Sequence, residues 1–143
     1  MLELILKIKN EWMLPLRKAH LEKETHAPLE INQSPTLAHV DCNSRLFNQM
    51  LEEVFEFKES TNDYDVDEID RKIGILDALG DEFYVWVQKV VANGMQDIII
   101  DAILEIHESN LTKFQNGEAI LNDQDKLMKP EGFKKPDLSK FIK

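Results

Sequence analysis

Apolar residues recur along this chain at helical spacing, and nowhere do they alternate as in a half-buried strand. Turn signals fall between the periodic segments rather than inside them, which predicts an all-α fold. An N-terminal helix is expected from about Leu2 to His20, bent or interrupted at Pro15, whose nitrogen carries no hydrogen to donate. The stretch "THAPLEINQSPTLAHV", with Pro28 and Pro35, reads as an irregular connection. A second helix is expected from "DCNSRL", with Asp41, Asn43 or Ser44 as its cap, to about Ser60. Asp65 with Glu68 resembles a capping box opening a third helix that runs to about Ala92. A fourth spans roughly Asp97 to Phe114 and is closed by "QNGE". The expected architecture is a single domain over residues 1–143, a bundle of about four to five helices in which residues 118–143 form an extended basic tail.

Placing residues 100° apart around the third helix spreads Leu76, Leu79, Phe83, Val85, Trp86, Val87, Val90 and Val91 over most of its circumference. Such a helix is expected to be central. Its polar residues form two strips, Glu82 with Lys89, and Asp77 with Asp81 and Gln88 inside about 40° of each other. Carboxylates on a helix with so little surface to spare must be neutral, paired with a cation, or lining a wet cavity, unless the strip is simply exposed.

The second helix carries "LEEVFEFKE", with Glu52, Glu53, Glu56 and Glu59 opposite an apolar face of Phe47, Leu51, Val54 and Phe55. A solvated acidic face is the plain reading. Against it, only Lys58 joins these acids, and like charges one turn apart repel by a few tenths of a kcal/mol per pair. On the fourth helix Asp97, Asp101, Glu105, Glu108 and Thr112 share an arc expected to face solvent, while His107 and Asn110 fall among Ile99, Ile100, Ile103, Ile106 and Phe114. His107 there reads as a hydrogen-bonded core residue, and the amide of Asn110 is suited to reading a base or sugar.

Charge sharpens this picture. The net charge is -10, which disfavours nonspecific binding to nucleic acid or to an anionic membrane. Residues 1–125 hold 11 basic against 25 acidic side chains, whereas residues 126–143 hold 6 lysines against 2 acids, so an acidic body carries a basic tail. The single cysteine, Cys42, cannot form an intrachain disulfide, and a reducing, cytoplasmic setting is expected. "MLELILKIKNEW" reads as an amphipathic helix rather than a signal peptide, since Glu3 stands where a basic start belongs. No run is long enough to span a membrane, because even "DIIIDAILEI" is broken by Asp101.

Carboxylates spaced i,i+3 on one helix and i,i+4 on its neighbour can converge on the all-oxygen shell that Mg²⁺ or Mn²⁺ prefers, with a phosphate completing it. An acid left free of the metal can orient or deprotonate an attacking water. Positive charge for the phosphates would come from Lys113 and from the tail lysines Lys126, Lys129, Lys134 and Lys135.

These residues also carry a family likeness. "LEEVFEF" resembles the E-E-x-x-E element of the all-α nucleoside triphosphate pyrophosphatases, the superfamily of MazG, dimeric dUTPases and phosphoribosyl-ATP pyrophosphohydrolases. "LDALGDEFYV" is similar to their paired acidic element, and "IHESNLTKF" and "KLMKPEGFKKPDL" to later segments of the phosphoribosyl-ATP pyrophosphohydrolase-like branch. The likeness runs from about Arg45 to Leu138 in the family's order. It implies a MazG-like helical bundle completed as a homodimer or homotetramer, requiring Mg²⁺ and splitting a nucleotide into a monophosphate and pyrophosphate. It implies Glu53, Glu56, Asp77 and Asp81 as metal ligands, Glu52 as a further ligand or the water-orienting base, and Asn110, Lys113, Lys126 and Lys129 as substrate contacts. The sequence departs from the family at Ala78, three before Asp81, where relatives carry Glu and this chain instead offers Asp77. A hydrolase confined to dUTP or phosphoribosyl-ATP, and a non-catalytic acidic helical interaction protein, stand as alternatives.

Overall fold

A computed structural model describes residues 1–114 and 116–142, leaving Gln115 of the "QNGE" turn and Lys143 outside the described residues. The fold is all-α, in two compact units, Met1–Asp97 and Ile98–Lys143. No described helix is long and apolar enough to cross a membrane.

The first unit opens with α1 (Leu2–Ile8), a π-helical turn (Lys9–Met13) and α2 (Leu14–Glu22) in one continuous helical path. Pro15 does not stop the helix but sits in the first turn of α2. It cannot donate to the carbonyl one turn back and its ring crowds that carbonyl, and the wider π turn just before it takes up the misfit. Ile5, Ile8 and Met13 face the core.

Next come α3 (Val40–Asn62) and α4 (Glu68–Ala92), joined by a short turn and packed antiparallel. Asn93 Nδ2 donates to Asn43 Oδ1 at one end (3.0 Å), and Gly74 lies against Ser60 at the other. The caps differ from those expected. α3 is capped by His39, whose Nδ1 accepts from the Asp41 amide (3.3 Å), while Asn43 binds the Ala38 carbonyl instead. α4 is capped by Asp67, whose carboxylate accepts from Ile69 and Asp70 (2.8 and 2.9 Å), two residues beyond the expected Asp65. The connection from α2 to α3 is irregular, as its prolines predict, and is stapled to the end of α4. Asn32 and Thr36 amides donate to the carbonyls of Val91 and Asn93 (3.2 and 3.1 Å), and buried Gln96 donates to Asn32 O (3.1 Å).

The core therefore gathers around the C-terminal half of α4, where Val87 and Val91 are fully buried, as are Ile5, Met13, Leu29 and Leu46. Centrality of α4 is confined to that half. Toward its N-terminus Ile73 and Leu76 are 60% and 72% exposed. α3 corrects the expectation more sharply, because Phe47, Leu51, Val54 and Phe55 stand open to solvent while Cys42, Leu46, Glu53 and Phe57 turn inward.

The second unit is α5 (Ile99–Leu111), a small hairpin bridged at Leu121 and Leu127, and a tail ending in a 3-10 turn (Ser139–Phe141). Here the expected faces of the helix are exchanged only in part, since Asp97, Asp101 and Glu108 are exposed as expected. Tail segments dock on the arc expected to face water: Ser109 Oγ donates to Lys134 O (2.6 Å), Lys134 N to Thr112 Oγ1 (3.1 Å), and Asp137 N to Glu105 (3.0 Å). Ser109 is buried, whereas His107 and Asn110, expected among the core, are exposed together with Ile103 and Ile106. The tail's backbone N–H and C=O groups need partners, and Glu105, Ser109 and Thr112 supply them where isoleucines cannot.

Candidate functional site

Antiparallel pairing of α3 and α4 sets Glu53 near Asp81 and brings Gln49 and Gln88 to the same groove. These side chains, with Trp12 of the π turn and Tyr84 and Val85 of α4, line a cleft of about 280 Å³. Trp12 and Tyr84 meet edge to face with ring centres 5.7 Å apart.

Glu53 is the most perturbed acid of the first unit. Partial burial, then the charges of Glu56, Asp81, Glu52 and Glu82, hold its carboxyl above its ordinary value of 4.5. Desolvation and like charge act in the same direction here, each disfavouring the ionised form. None of Glu52, Glu53, Glu56, Asp77 or Asp81 makes an ion pair among the described residues. At the other end of the cleft Arg45 donates to the Ala27 carbonyl and, through Nη1, to Gln49 Oε1 (both 3.1 Å). Gln88 is 2% exposed, yet its Oε1 has no partner among the described residues.

The expected metal ligands are thus partly assembled. Glu53, Glu56 and Asp81 share one neighbourhood, with Glu52 exposed beside them. Asp77 lies a turn away on a shallower cleft with Ile73, Leu76, Gly80, Asp81 and Tyr84, and it is not among the charges that act on Glu53. Asp77 and Asp81 are exposed, so the acid caught between helices is Glu53 of α3 rather than the pair on α4. Among the described residues no group of three or more His, Cys, Asp or Glu side chains is placed to hold a metal ion. In kind the donors fit a hard divalent cation, being all oxygen and carrying excess negative charge that a cation would relieve.

The second unit holds the expected substrate contacts. Lys113 Nζ donates to Asn110 Oδ1 (2.6 Å), and Lys113 and Lys129 both approach the Phe133 ring, at 5.8 and 5.2 Å from its centre. Lys126 stands apart in the hairpin, its amide donating to Asn122 Oδ1 (3.0 Å) and its side chain exposed. Sequence reasoning missed Trp12, Gln49, Tyr84 and Glu82. Gln49 had a signal, lying one helical turn before Glu53 on the same face. Trp12 had none, because only tertiary packing brings the π turn to α4. No protein-family model matches the chain, and no curated protein matches it.

Proposed function

We propose that this protein is a Mg²⁺-dependent nucleotide pyrophosphohydrolase, cleaving between the α and β phosphates of a (d)NTP or related nucleotide to give a nucleoside monophosphate and pyrophosphate. The observation that carries this reading is the orientation of α3, which turns Glu53 inward to meet Asp81 while leaving Phe47 and Phe55 outside. A helix arranged this way spends stability on keeping acids together, and a hard cation would recover it. The ordered likeness of four motifs to the all-α NTP pyrophosphatases supports the same reading.

In this reading Glu53, Glu56 and Asp81 hold the cation, with Asp77, one turn before Asp81 on α4, as the further ligand the resemblance implies. Bound there, Mg²⁺ or Mn²⁺ supplies neutralisation of phosphoryl charge and a more acidic water. Glu52, adjacent and exposed, accepts the proton of the attacking water as its oxygen bonds to phosphorus and pyrophosphate departs. In the second unit Asn110, Lys113, Lys126 and Lys129 offer amide and ammonium donors suited to nucleotide oxygens. The uncovered apolar residues of α3 and of the N-terminal half of α4 support assembly as a homodimer or homotetramer.

A pyrophosphate-release screen over canonical and modified (d)NTPs, with Mg²⁺ or Mn²⁺, tests the activity. Glu56→Gln should lower release by about a hundredfold or more if it removes a metal ligand. Silence across the panel, together with melting that ignores Mg²⁺, would leave a helical interaction protein, the reading that the open apolar stripe of α3 favours.

A further inference from the structure

The dipeptide Asn-Gly occurs twice in the chain, at Asn93 with Gly94 and at Asn116 with Gly117. In this pair the asparagine side chain is unusually open to attack by the next backbone nitrogen, because glycine has no side chain to shield that nitrogen or restrict its rotation. The fold treats the two copies differently.

Asn93 caps the C-terminus of α4 and is held through both polar atoms of its side chain. Its Nδ2 donates to Lys89 O (2.9 Å) and to Asn43 Oδ1 (3.0 Å), and its Oδ1 accepts from the Ala38 amide (3.1 Å). The Gly94 amide, which holds the attacking nitrogen, donates to Val91 O (3.1 Å). Gly94 is buried, and Ser34 O lies 1.8 Å from where its Cβ would stand, so the peptide between Asn93 and Gly94 is clamped. Attack on the Asn93 side chain must await local unfolding of this end of α4.

Asn116 and Gly117 are both exposed. Each has a positive φ (+52° and +82°), a conformation that asparagine and glycine tolerate in tight turns. Apart from chain neighbours, no atom lies within 4 Å of a Cβ built on Gly117. Among the described residues the Gly117 N–H donates to no backbone carbonyl. The side chain and the nitrogen that could attack it are therefore in a turn with room to rotate.

We propose that Asn116 is a site of spontaneous deamidation, and that packing around Gly94 protects Asn93 from the same change. The Gly117 nitrogen gives its proton to solvent and bonds to Asn116 Cγ, the Cγ–Nδ2 bond breaks, and Nδ2 takes up a proton and leaves as ammonia. Water then opens the cyclic imide at either carbonyl, giving aspartate or isoaspartate. The net change exchanges NH₂ for OH, with water as the co-reactant. It places a negative charge in the unit that carries Lys126 and Lys129, and isoaspartate also lengthens the backbone, so the connection from α5 to the basic tail alters as the protein ages. The proposal is independent of the pyrophosphohydrolase reading.

The test incubates the full chain at mildly alkaline pH in heavy-oxygen water and follows both asparagines by peptide mapping and mass spectrometry. Asn116 should convert about a hundredfold or more faster than Asn93, which must first give up its hydrogen bonds and the packing of Gly94. The product should carry heavy oxygen and contain aspartate and isoaspartate together, the mark of an imide intermediate. Urea should bring the two rates within a few fold of each other, because the protection of Asn93 is a property of the fold. Gly117→Ala, in its exposed turn, should slow conversion of Asn116 severalfold. Comparable rates at the two sites in the folded chain would overturn the proposal, as would a product of aspartate alone, or a difference in rate that survives in urea.

Discussion

Replacing Glu53 by Gln should stabilise the metal-free protein and, on the proposed Mg²⁺-dependent reading, abolish stabilisation by Mg²⁺. Glu53 faces the charges of Glu56, Asp81, Glu52 and Glu82 with part of its surface removed from water. A like-charge pair at this separation costs a few tenths of a kcal/mol, so neutralising one member of the cluster returns roughly 1 kcal/mol after solvent screening. For a domain of this size that is a rise in Tm of about 3 to 5 °C. The pH dependence has a definite sign. The folded-state pKa of Glu53 lies above its ordinary 4.5, so its contribution is fully present below 4.5 and is lost as pH rises through the raised value. Wild type and Glu53→Gln should therefore melt alike in mild acid and diverge toward neutral pH, the variant being the more stable. On the proposed Mg²⁺ reading the order should reverse with excess MgCl₂, because a ligand at a hundred times its Kd adds about 2.7 kcal/mol to a fold that can bind it. Calorimetric melting in EDTA and in MgCl₂ at both pH values measures all of this. A variant less stable than wild type in EDTA, or one whose Tm still climbs with Mg²⁺, would refute the reasoning.

Other perturbations probe the scaffold. Gly94 has φ +67°, and an added Cβ would lie 1.8 Å from Ser34 O, so Gly94→Ala should cost about 2 kcal/mol or more, read as a lower urea midpoint. His20 is held below its ordinary 6.5 by burial and then by Arg45, and its Nδ1 accepts the Leu29 amide (3.0 Å). Its contribution is present above pH 6.5 and lost as pH falls through the lowered value, so urea midpoints of His20→Gln should depend less on pH across that window. Glu105 is held below its ordinary 4.5 by hydrogen bonds from Lys140 and then from the Asp137 amide, so Glu105→Ala should free the tail and speed limited proteolysis after Lys134.

Helix existence and type were legible in the residues because each helix carries its own period and punctuation. The all-α class, the irregular proline-rich connection and the approximate spans of α3 and α4 all follow from "LEEVFEF", "DALGDEFYV" and the turns around them. Caps were legible only to within a few residues. His39 and Asp67 took the places assigned to Asp41 and Asp65, since several polar side chains near a helix start can each reach a free amide.

Sequence alone also determined that acids crowd onto neighbouring helices with few cations among them, a statement about charge and spacing that needs no coordinates. Which face of each helix looks inward was decided only in three dimensions. Periodicity says that two faces differ, but burial is set by what packs against them. Thus the apolar stripe of α3 faces out, and the arc of Glu105, Ser109 and Thr112 receives the tail. The meeting of Trp12 with Tyr84, and the sharing of one cleft by Gln49 and Gln88, likewise join residues far apart in the chain. No local pattern encodes such a contact, because its free energy arises only once the intervening helices have packed.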